Sequence, residues 1–274
     1  EHEGVVLWPQ DGSGLADDVD TLVVSSAIEN TIPDVRQALA KNIPIRKRAE
    51  ILAALFNDME GIAVGGTSGK TTVTGMIAHI LQDTGCHPTV MNGGLIVNFL
   101  EQGLPGNAMV GTGDLFVAET DESDGSIALY RPAIAVLNNI TLDHKPLDEL
   151  RPLFSDFLHR AKQAAIINFD DPEVFAMADS HKNVIGFAID NGSARFRAGD
   201  IQPLPDGIRF TAHDKKHEIS VPVRLHVPGC HNVLNALAAL AAVNEAGIPI
   251  EQAASALGHF KGIKRRFEIV GTVN

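Results

Sequence analysis

The clearest chemical signal in the sequence is a glycine-rich loop, Gly65-Gly66-Thr67-Ser68-Gly69-Lys70-Thr71-Thr72, which lies between a strand-like and a helix-like stretch. Glycines allow backbone N–H groups to curl around phosphate, and the amino end of a helix favours negative charge. Lys70 is expected to reach the β- and γ-phosphates of a nucleotide, and the Thr71 hydroxyl to hold Mg²⁺. Val64 stands where the general phosphate-binding pattern has its first Gly, so a shortened loop is expected. The alternative is a strand–helix turn without a ligand.

Four acidic residues crowd the end of an apolar, strand-like stretch at residues 115–118; they are Glu119, Asp121, Glu122 and Asp124. Ligand sites in open α/β sheets lie at the carboxyl ends of strands, and the glycine loop also follows a strand end. Carboxylate oxygens at that edge would bind Mg²⁺. The alternative is a solvated acidic loop, which is common in a protein of this charge.

A third strand-like stretch, residues 134–137, is followed after a few residues by Asp143 and His144. A single His is more often structural than a ligand. His144, however, is expected on the same edge of the sheet as the glycine loop and the acidic residues. We therefore predict that His144 contacts a metal ion or phosphate.

Two later segments are candidates for contact with a nucleotide. Asn232 and Asn235 lie three residues apart at the start of an Ala-rich helical stretch, so they share a helix face and are predicted to hydrogen-bond a base. The alternative for Asn232 is a helix cap. Near the end of the sequence four basic residues fall within six positions, and they either face phosphates or form a surface loop: Lys261, Lys264, Arg265 and Arg266.

The elements that must position these residues alternate between strand-like and helix-like stretches. Continuous apolar strands between helices favour a mostly parallel sheet covered on both faces. Residues 184–227 differ, because short alternating stretches separated by turn residues predict a small antiparallel sheet. The predicted fold class is α/β: a P-loop-containing, mostly parallel sheet flanked by helices, with a small antiparallel sub-sheet, preceded by a partial αβ domain. The domain boundary is placed at residues 57–60.

Composition disfavours several classes of function. The 274 residues are 45% hydrophobic and 20% charged, as in a folded globular protein, and the net charge of −12 disfavours binding to nucleic acid. No apolar run reaches the ~18 residues of a membrane span, and the first residues lack the features of a signal peptide. Cys86 and Cys230 are interpreted as reduced thiols. We therefore expect a cytoplasmic protein without a membrane partner, and the sequence gives no indication of its oligomeric state.

Taken in order, these segments resemble the Mur ligase family, and in particular its alanine-adding branch. The glycine loop resembles the shortened ATP loop of that family, and residues 118–124 resemble the acidic motif of that branch. Residues 228–236 and 264–268 are similar to two further family blocks, and residues 25–28 and 45–50 also resemble the branch. Ser68 stands where the branch usually carries His, and Lys145-Pro146 where it usually carries Met-Asp.

The resemblance implies a role for each matching residue. ATP would lie against the glycine loop, that is, Gly66, Thr67, Ser68, Gly69, Lys70, Thr71 and Thr72. Thr71, Glu119 and His144 would bind metal, and Lys70, Glu119 and His144 would serve catalysis. Asn232 and Asn235 would contact the adenine side of ATP, and Arg266 its phosphates.

The resemblance also implies a function: an ATP-dependent, Mg²⁺-requiring ligase of peptidoglycan synthesis, and thus of cell-wall biogenesis, cell shape and cell division. It would join the carboxylate of UDP-N-acetylmuramic acid to an amino acid, L-alanine in the matching branch, through an acyl phosphate. Residues 1–58 would be part of the domain for the UDP substrate, and residues 59–274 the central ATP-binding domain, with the amino-acid-binding domain absent. Two alternatives stay open: a sister ligase that recycles wall peptides, and a nucleotide-binding protein without ligase activity.

Overall fold

A computed structural model describes residues 4–16, 18–25, 27–142 and 145–266 of the chain. The chain divides into two compact units, Glu1–Leu55 and Phe56–Asn274. The roles that the sequence suggested for two domains, with a boundary near residue 58, stay predictions.

The first unit contains a small parallel αβ arrangement. Strand β1, Leu22–Val24, pairs in parallel with β2, Ile45–Lys47, and helix α1, Pro33–Ala40, lies between them in the chain. Pro33 occupies the first turn of α1. Backbone N–H groups in the first turn have no helical acceptor, so the missing N–H of Pro costs no hydrogen bond there. Helix α2, Arg48–Asn57, follows β2.

The second unit is built on a sheet of ten strands among the described residues. They are β3 (Glu60–Gly65), β4 (Thr89–Met91), β5 (Ala108–Met109), β6 (Leu115–Glu119), β7 (Ile134–Leu137), β8 (Ala164–Asn168), β9 (Val184–Ala188), β10 (Phe196–Leu204), β11 (Gly207–Asp214) and β12 (Ile219–Leu225). The helices are α3 (Lys70–Asp83), α4 (Val97–Glu101), α5 (Leu147–His159), α6 (Pro172–Phe175), α7 (Cys230–Glu245) and α8 (Ile250–Leu257), and a 3-10 turn covers Ser126–Leu129. No helix of the described part is both long and apolar enough to cross a membrane.

The strand order across the sheet is β12-β11-β10-β9-β8-β7-β3-β6-β4-β5. Strands from β10 through β4 in that order run parallel, whereas β5 at one edge and β11 and β12 at the other are antiparallel to their neighbours. The mostly parallel sheet with a small antiparallel part is confirmed. One detail differs: β9 belongs to the parallel part, and β10 to β12 extend the main sheet. The reason is that Ile185 to Ala188 of β9 are buried, as in an interior parallel strand.

The core lies on both faces of this sheet, because successive side chains of a strand point to opposite faces. On one face α3, α7 and α8 pack together over alternate strand residues, namely Ile62, Val64, Val117, Val136 and Ile166. Helix α5 packs along β7 and brings the fully buried rings of Phe154 and Phe157 close to Gly65. This packing fixes the carboxyl ends of β3, β6 and β7, where the sequence places its chemical groups.

Arg195 joins the antiparallel strands to α7. Its guanidinium donates to both carboxylate oxygens of Asp214 at 2.9 and 2.8 Å and to Glu245 at 2.8 Å. Burial alone would raise the pKa of Asp214, but hydrogen bonds from Arg195 and His217 outweigh it and hold that pKa well below its usual range. The carboxylate therefore stays charged, and the link stays intact, down to strongly acidic pH.

Candidate functional site

The glycine loop runs from the carboxyl end of β3 to the start of α3, as predicted. The Asn139 side chain at the end of β7 shapes it: Oδ1 accepts from the Ser68 N–H at 2.8 Å and the Thr67 hydroxyl at 2.9 Å, and Nδ2 donates to the Ser68 carbonyl at 3.0 Å. Gly69 has a φ of +80°, and a Cβ there would lie 2.5 Å from the Asn138 amide nitrogen. The loop therefore needs Gly at this position on two counts.

The amino end of α3 follows directly and presents N–H groups that no helical carbonyl can accept. Lys70 is the first residue of the helix, and its Nζ donates to the Gly66 carbonyl at 2.7 Å and to Glu122 at 2.9 and 3.1 Å. The combination of free N–H groups, a helix amino terminus and an ammonium suits the phosphates of a nucleotide. Its partner Glu122 was placed in the acidic cluster by sequence reasoning but was given no individual role.

Glu119 ends β6, and its environment fits a metal ligand. One carboxylate oxygen, Oε2, is buried and has no hydrogen-bond partner within the described ranges. The backbone of Gly93 lies directly over the carboxylate, since a Cβ at that position would come within 1.9 Å of Oε1. Thr71 packs against Gly94, the residue after Gly93. Thr71 and Glu119 therefore contact two consecutive residues of the chain and lie close to each other. A buried anionic oxygen without a partner is costly unless a cation completes it.

The predicted metal ligand His144 lies outside the described residues. Within the described ranges, no group of three or more His, Cys, Asp or Glu side chains forms a ready-made metal site. Besides the predicted ligand His144, a cation held by Thr71 and Glu119 would take ligands from phosphate or water, as Mg²⁺ usually does.

A cavity of about 620 Å³ opens beside the glycine loop. This volume is in the usual range for small-molecule sites. Its lining brings together three segments that the sequence singled out separately: Ser68, Gly69 and Thr72 of the loop, Asn232 and Asn235 of α7, and Arg265 and Arg266. Asn138, Asn139, Asn168, His231 and Leu234 complete it.

The two asparagines of α7 form part of a buried amide chain. Asn232 Nδ2 donates to the Pro228 carbonyl at 2.7 Å, Asn235 Nδ2 donates to Asn232 Oδ1 at 3.1 Å, and Asn138 Nδ2 donates to Asn235 Oδ1 at 3.0 Å. Asn138 Oδ1 is buried without a partner. Polar side chains fixed in this way at a cavity wall are suited to recognising a base.

The helix-cap alternative for Asn232 is wrong. The N-cap of α7 is Gly229, without a side-chain cap, and Asn232 lies inside the first turn with only 3% of its surface exposed. Of the four basic residues near the end, Arg265 and Arg266 line the cavity, whereas Lys261 pairs with Glu101 at 2.6 Å elsewhere on the surface. Lys261 therefore lies on the surface, and contact of Arg265 and Arg266 with phosphates stays a prediction.

Sequence reasoning missed the roles of Asn138 and Asn139. Both directly follow β7, at the edge of the sheet where the site was predicted. Two adjacent amides at that edge were the signal in the sequence that could have identified them. Asn139 shapes the glycine loop, and Asn138 links this loop to α7. Asn168, at the end of β8, donates to the Asn138 carbonyl at 3.0 Å and gave no signal of its own.

The chain is similar to known proteins over most of its length. A family model described as "Mur ligase middle domain" matches residues 64–243. UDP-N-acetylmuramate–L-alanine ligase of Xylella fastidiosa is 40% identical over 264 residues, which are 93% of this chain and 54% of the relative. The chain thus spans about half the length of the curated relatives it matches.

Two solved structures are similar over nearly the whole chain. UDP-N-acetylmuramate-alanine ligase from Thermotoga maritima has a TM-score of 0.82 and 26% identity, covering 96% of this chain and 59% of that one. A murein peptide ligase from Psychrobacter arcticus has a TM-score of 0.80 and 27% identity, covering 93% of this chain and 58% of that one. The two proteins have different names but nearly equal similarity in fold, so the fold alone does not select a substrate.

Proposed function

The chain belongs to the Mur ligase family, and from that premise we propose that the intact protein is an ATP-dependent ligase that joins UDP-N-acetylmuramic acid to L-alanine. The observation that carries this proposal is the cavity, where the glycine loop meets the buried amides of α7 and Arg266. Triphosphate would lie along the loop, and the adenine would lie toward Asn232 and Asn235.

The choice of L-alanine rests on sequence rather than on fold. The relative with 40% identity is named for L-alanine. The two solved structures, at 26% and 27% identity, differ from each other: one is named for alanine and the other for a murein peptide. The departures at Ser68 and Lys145-Pro146 lie in the loops of the proposed active site, so the amino acid must be identified by experiment.

The proposed reaction has two displacements. An oxygen of the sugar-acid carboxylate attacks the γ-phosphorus of ATP, and ADP leaves; the amine of the amino acid then attacks the acyl phosphate carbon, and phosphate leaves with that oxygen. Lys70, the amino end of α3 and Arg266 would offset the charge on the phosphoryl oxygens. The loop must hold the triphosphate in line for attack, and Asn139 is the residue that fixes the loop.

Thr71 and Glu119 would hold Mg²⁺, because the buried Glu119 Oε2 has no hydrogen-bond partner among the residues that the structure describes. When bound, Mg²⁺ neutralises charge on the phosphates. His144 remains a predicted ligand.

We also place the protein in the cytoplasm. The free thiols of Cys86, half-buried, and Cys230, exposed, suit a reducing compartment, and the proposed substrates are small molecules.

Oxygen transfer tests the acyl phosphate directly. With UDP-N-acetylmuramic acid labelled with ¹⁸O in its carboxylate, the two displacements move one labelled oxygen into each phosphate released. Mass spectrometry of the phosphate should show one ¹⁸O per molecule when L-alanine is present. Unlabelled phosphate, formed together with the amide product, would contradict the acyl phosphate.

A further inference from the structure

Lys70 and Glu122 form an ion pair inside the proposed nucleotide site. Lys70 Nζ lies 3.1 and 2.9 Å from the two carboxylate oxygens of Glu122 and 2.7 Å from the Gly66 carbonyl oxygen. These three acceptors account for the three N–H donors of a lysine ammonium. The Glu122 side chain is only 5% exposed, so salt and water screen the pair weakly.

The proposed function gives the same ammonium another acceptor, the phosphates of ATP. Because its three donors are already engaged, Lys70 can bind phosphate only by giving up part of its contact with Glu122 or Gly66. Removing the cation from a buried carboxylate is strongly unfavourable, because it leaves an uncompensated buried charge. Glu122 therefore competes with the phosphates for Lys70.

Lys145 supplies a second cation beside Glu122. Its Nζ donates to the backbone carbonyl of Glu122 at 2.8 Å, although the two residues come from different loops, one before α5 and the other after β6. A lysine has a flexible four-carbon stem and donors that rotate freely, so the carboxylate of the same residue is within its reach.

We propose that Glu122 is a positioning residue that holds Lys70 in the nucleotide-free protein and transfers to Lys145 when a triphosphate takes Lys70. This exchange rests on the proposed function, since it needs ATP at the loop. It keeps the buried carboxylate paired in both states. It also gives a role to Lys145, one of the three residues that depart from the pattern of the alanine-adding branch.

Binding measurements on variants of the intact protein distinguish the contributions of Glu122 and Lys145. The variants are Glu122→Gln, Lys145→Met and the double variant. Asp124→Asn is a matched loss of charge, because Asp124 is exposed on the same loop and accepts a hydrogen bond from the Ser126 N–H. Calorimetry would give the Kd of Mg²⁺ with adenylyl imidodiphosphate, a triphosphate analogue that is not hydrolysed. AMP, which has no β- or γ-phosphate, serves as the control ligand.

Glu122→Gln should tighten binding of the triphosphate analogue roughly tenfold, the size expected from removing one competing charge-assisted hydrogen bond, and leave AMP unchanged. Lys145→Met should weaken binding of the analogue in the unaltered background and have no effect in the Glu122→Gln background. Asp124→Asn should change neither ligand by more than about twofold, as expected for an exposed, screened charge.

Unchanged or weaker binding of the analogue by a folded Glu122→Gln protein would overturn the exchange, as would an equal effect of Lys145→Met in both backgrounds. If Glu122→Gln does not fold, Lys145→Met decides alone: weaker binding of the analogue with unchanged AMP supports the exchange, and unchanged binding of both contradicts it. If the unaltered protein does not bind the analogue at all, the proposed function itself fails, which distinguishes the two failures.

Discussion

At the scale of single residues, the site contains two carboxylates in different surroundings. Glu122 is buried and pairs with Lys70, whereas Glu119 has one buried oxygen, Oε2, without a hydrogen-bond partner among the described residues. In our proposals the first carboxylate controls the availability of a cation, and the second binds one. Glu119 ends β6 and Glu122 stands three positions later in the following loop, so the surroundings of the two carboxylates, rather than their residue type, divide the roles.

Replacing Lys70 by Met should keep the aliphatic stem and remove the ammonium. We expect affinity for the Mg²⁺ complex of adenylyl imidodiphosphate to fall by ~2 kcal/mol or more, because a charge-assisted contact is lost and Glu122 is left facing the phosphates. Affinity for AMP should change little. Calorimetry on both ligands checks this, with the exposed Lys162→Met as control. Equal losses for both ligands would show a general disruption of the loop.

Glu119→Gln should raise the Mg²⁺ concentration needed for half-maximal binding of the triphosphate analogue by about tenfold, since a neutral amide is a poorer ligand for a hard cation. Gly93→Ala should act in the same direction, because the new Cβ would occupy the place of the Glu119 carboxylate. Gly192→Ala is the control, as open space surrounds a Cβ at that position. An unaltered Mg²⁺ titration in both test variants would remove Glu119 from the metal site.

The sequence could single out candidate residues better than the side chains that hold them in place. Lys70, Thr71 and Glu119 were predicted because their chemistry and their positions at strand ends coincide, and the structure places the loop, Asn235 and Arg266 around one cavity. The contacts of Asn139 with the loop and of Asn138 with Asn235 were not predictable. They join residues about 70 and 97 positions apart, and only the folded sheet brings such residues together.

At the scale of elements, the parallel strands and their helices could be predicted because apolar runs and helical spacing are local signals. Strand β7 has the predicted bounds, and β6 is one residue longer than predicted. The assignment of residues 184–188 to an antiparallel sheet failed, because strand direction depends on the partner strand and not on the strand itself. Short strands β4 and β5 were not predicted, since three or fewer residues carry little periodicity. Helix α8 was also not predicted, although its buried residues follow helical spacing.

Helices α3 and α8 meet at His79, which should make stability depend on pH. His79 is buried, and its Nε2 lies 2.9 Å from the Ala256 carbonyl oxygen. Burial lowers its pKa below the ordinary 6.5, although the bond to Ala256 opposes the shift. Below pH 6.5 the unfolded chain therefore binds a proton that the folded one does not. The free energy of unfolding should decrease as pH falls, by at most ~1.4 kcal/mol per pH unit from this group.

Urea unfolding at pH 7.5 and pH 5.5 measures that dependence. His79→Gln retains a donor for the Ala256 carbonyl and removes the titration, so its loss of stability between the two values should be smaller than that of the unaltered protein. His226→Gln, at an exposed position, should behave like the unaltered protein. The same loss in all three proteins would show that His79 does not contribute.

At the scale of the whole molecule, the lining of the cavity joins the glycine loop, α7 and Arg266, the groups that we propose for the nucleotide. Family membership and the similarity over 93% of the chain to an L-alanine ligase support the proposed reaction. That relative is nearly twice as long as the region shared with this chain. The proposed choice of substrate must therefore be assayed with the intact protein.

Phosphate release from Mg-ATP by the intact protein tests the central claim most directly. The assay contains UDP-N-acetylmuramic acid and each amino acid in turn, with the wall tripeptide L-alanyl-γ-D-glutamyl-meso-diaminopimelate as a further acceptor. The account predicts release that requires both the sugar acid and an amino acid and is fastest with L-alanine. Release that requires the tripeptide would assign the protein to peptide recycling, and no release with any acceptor, despite ATP binding, would contradict ligase activity.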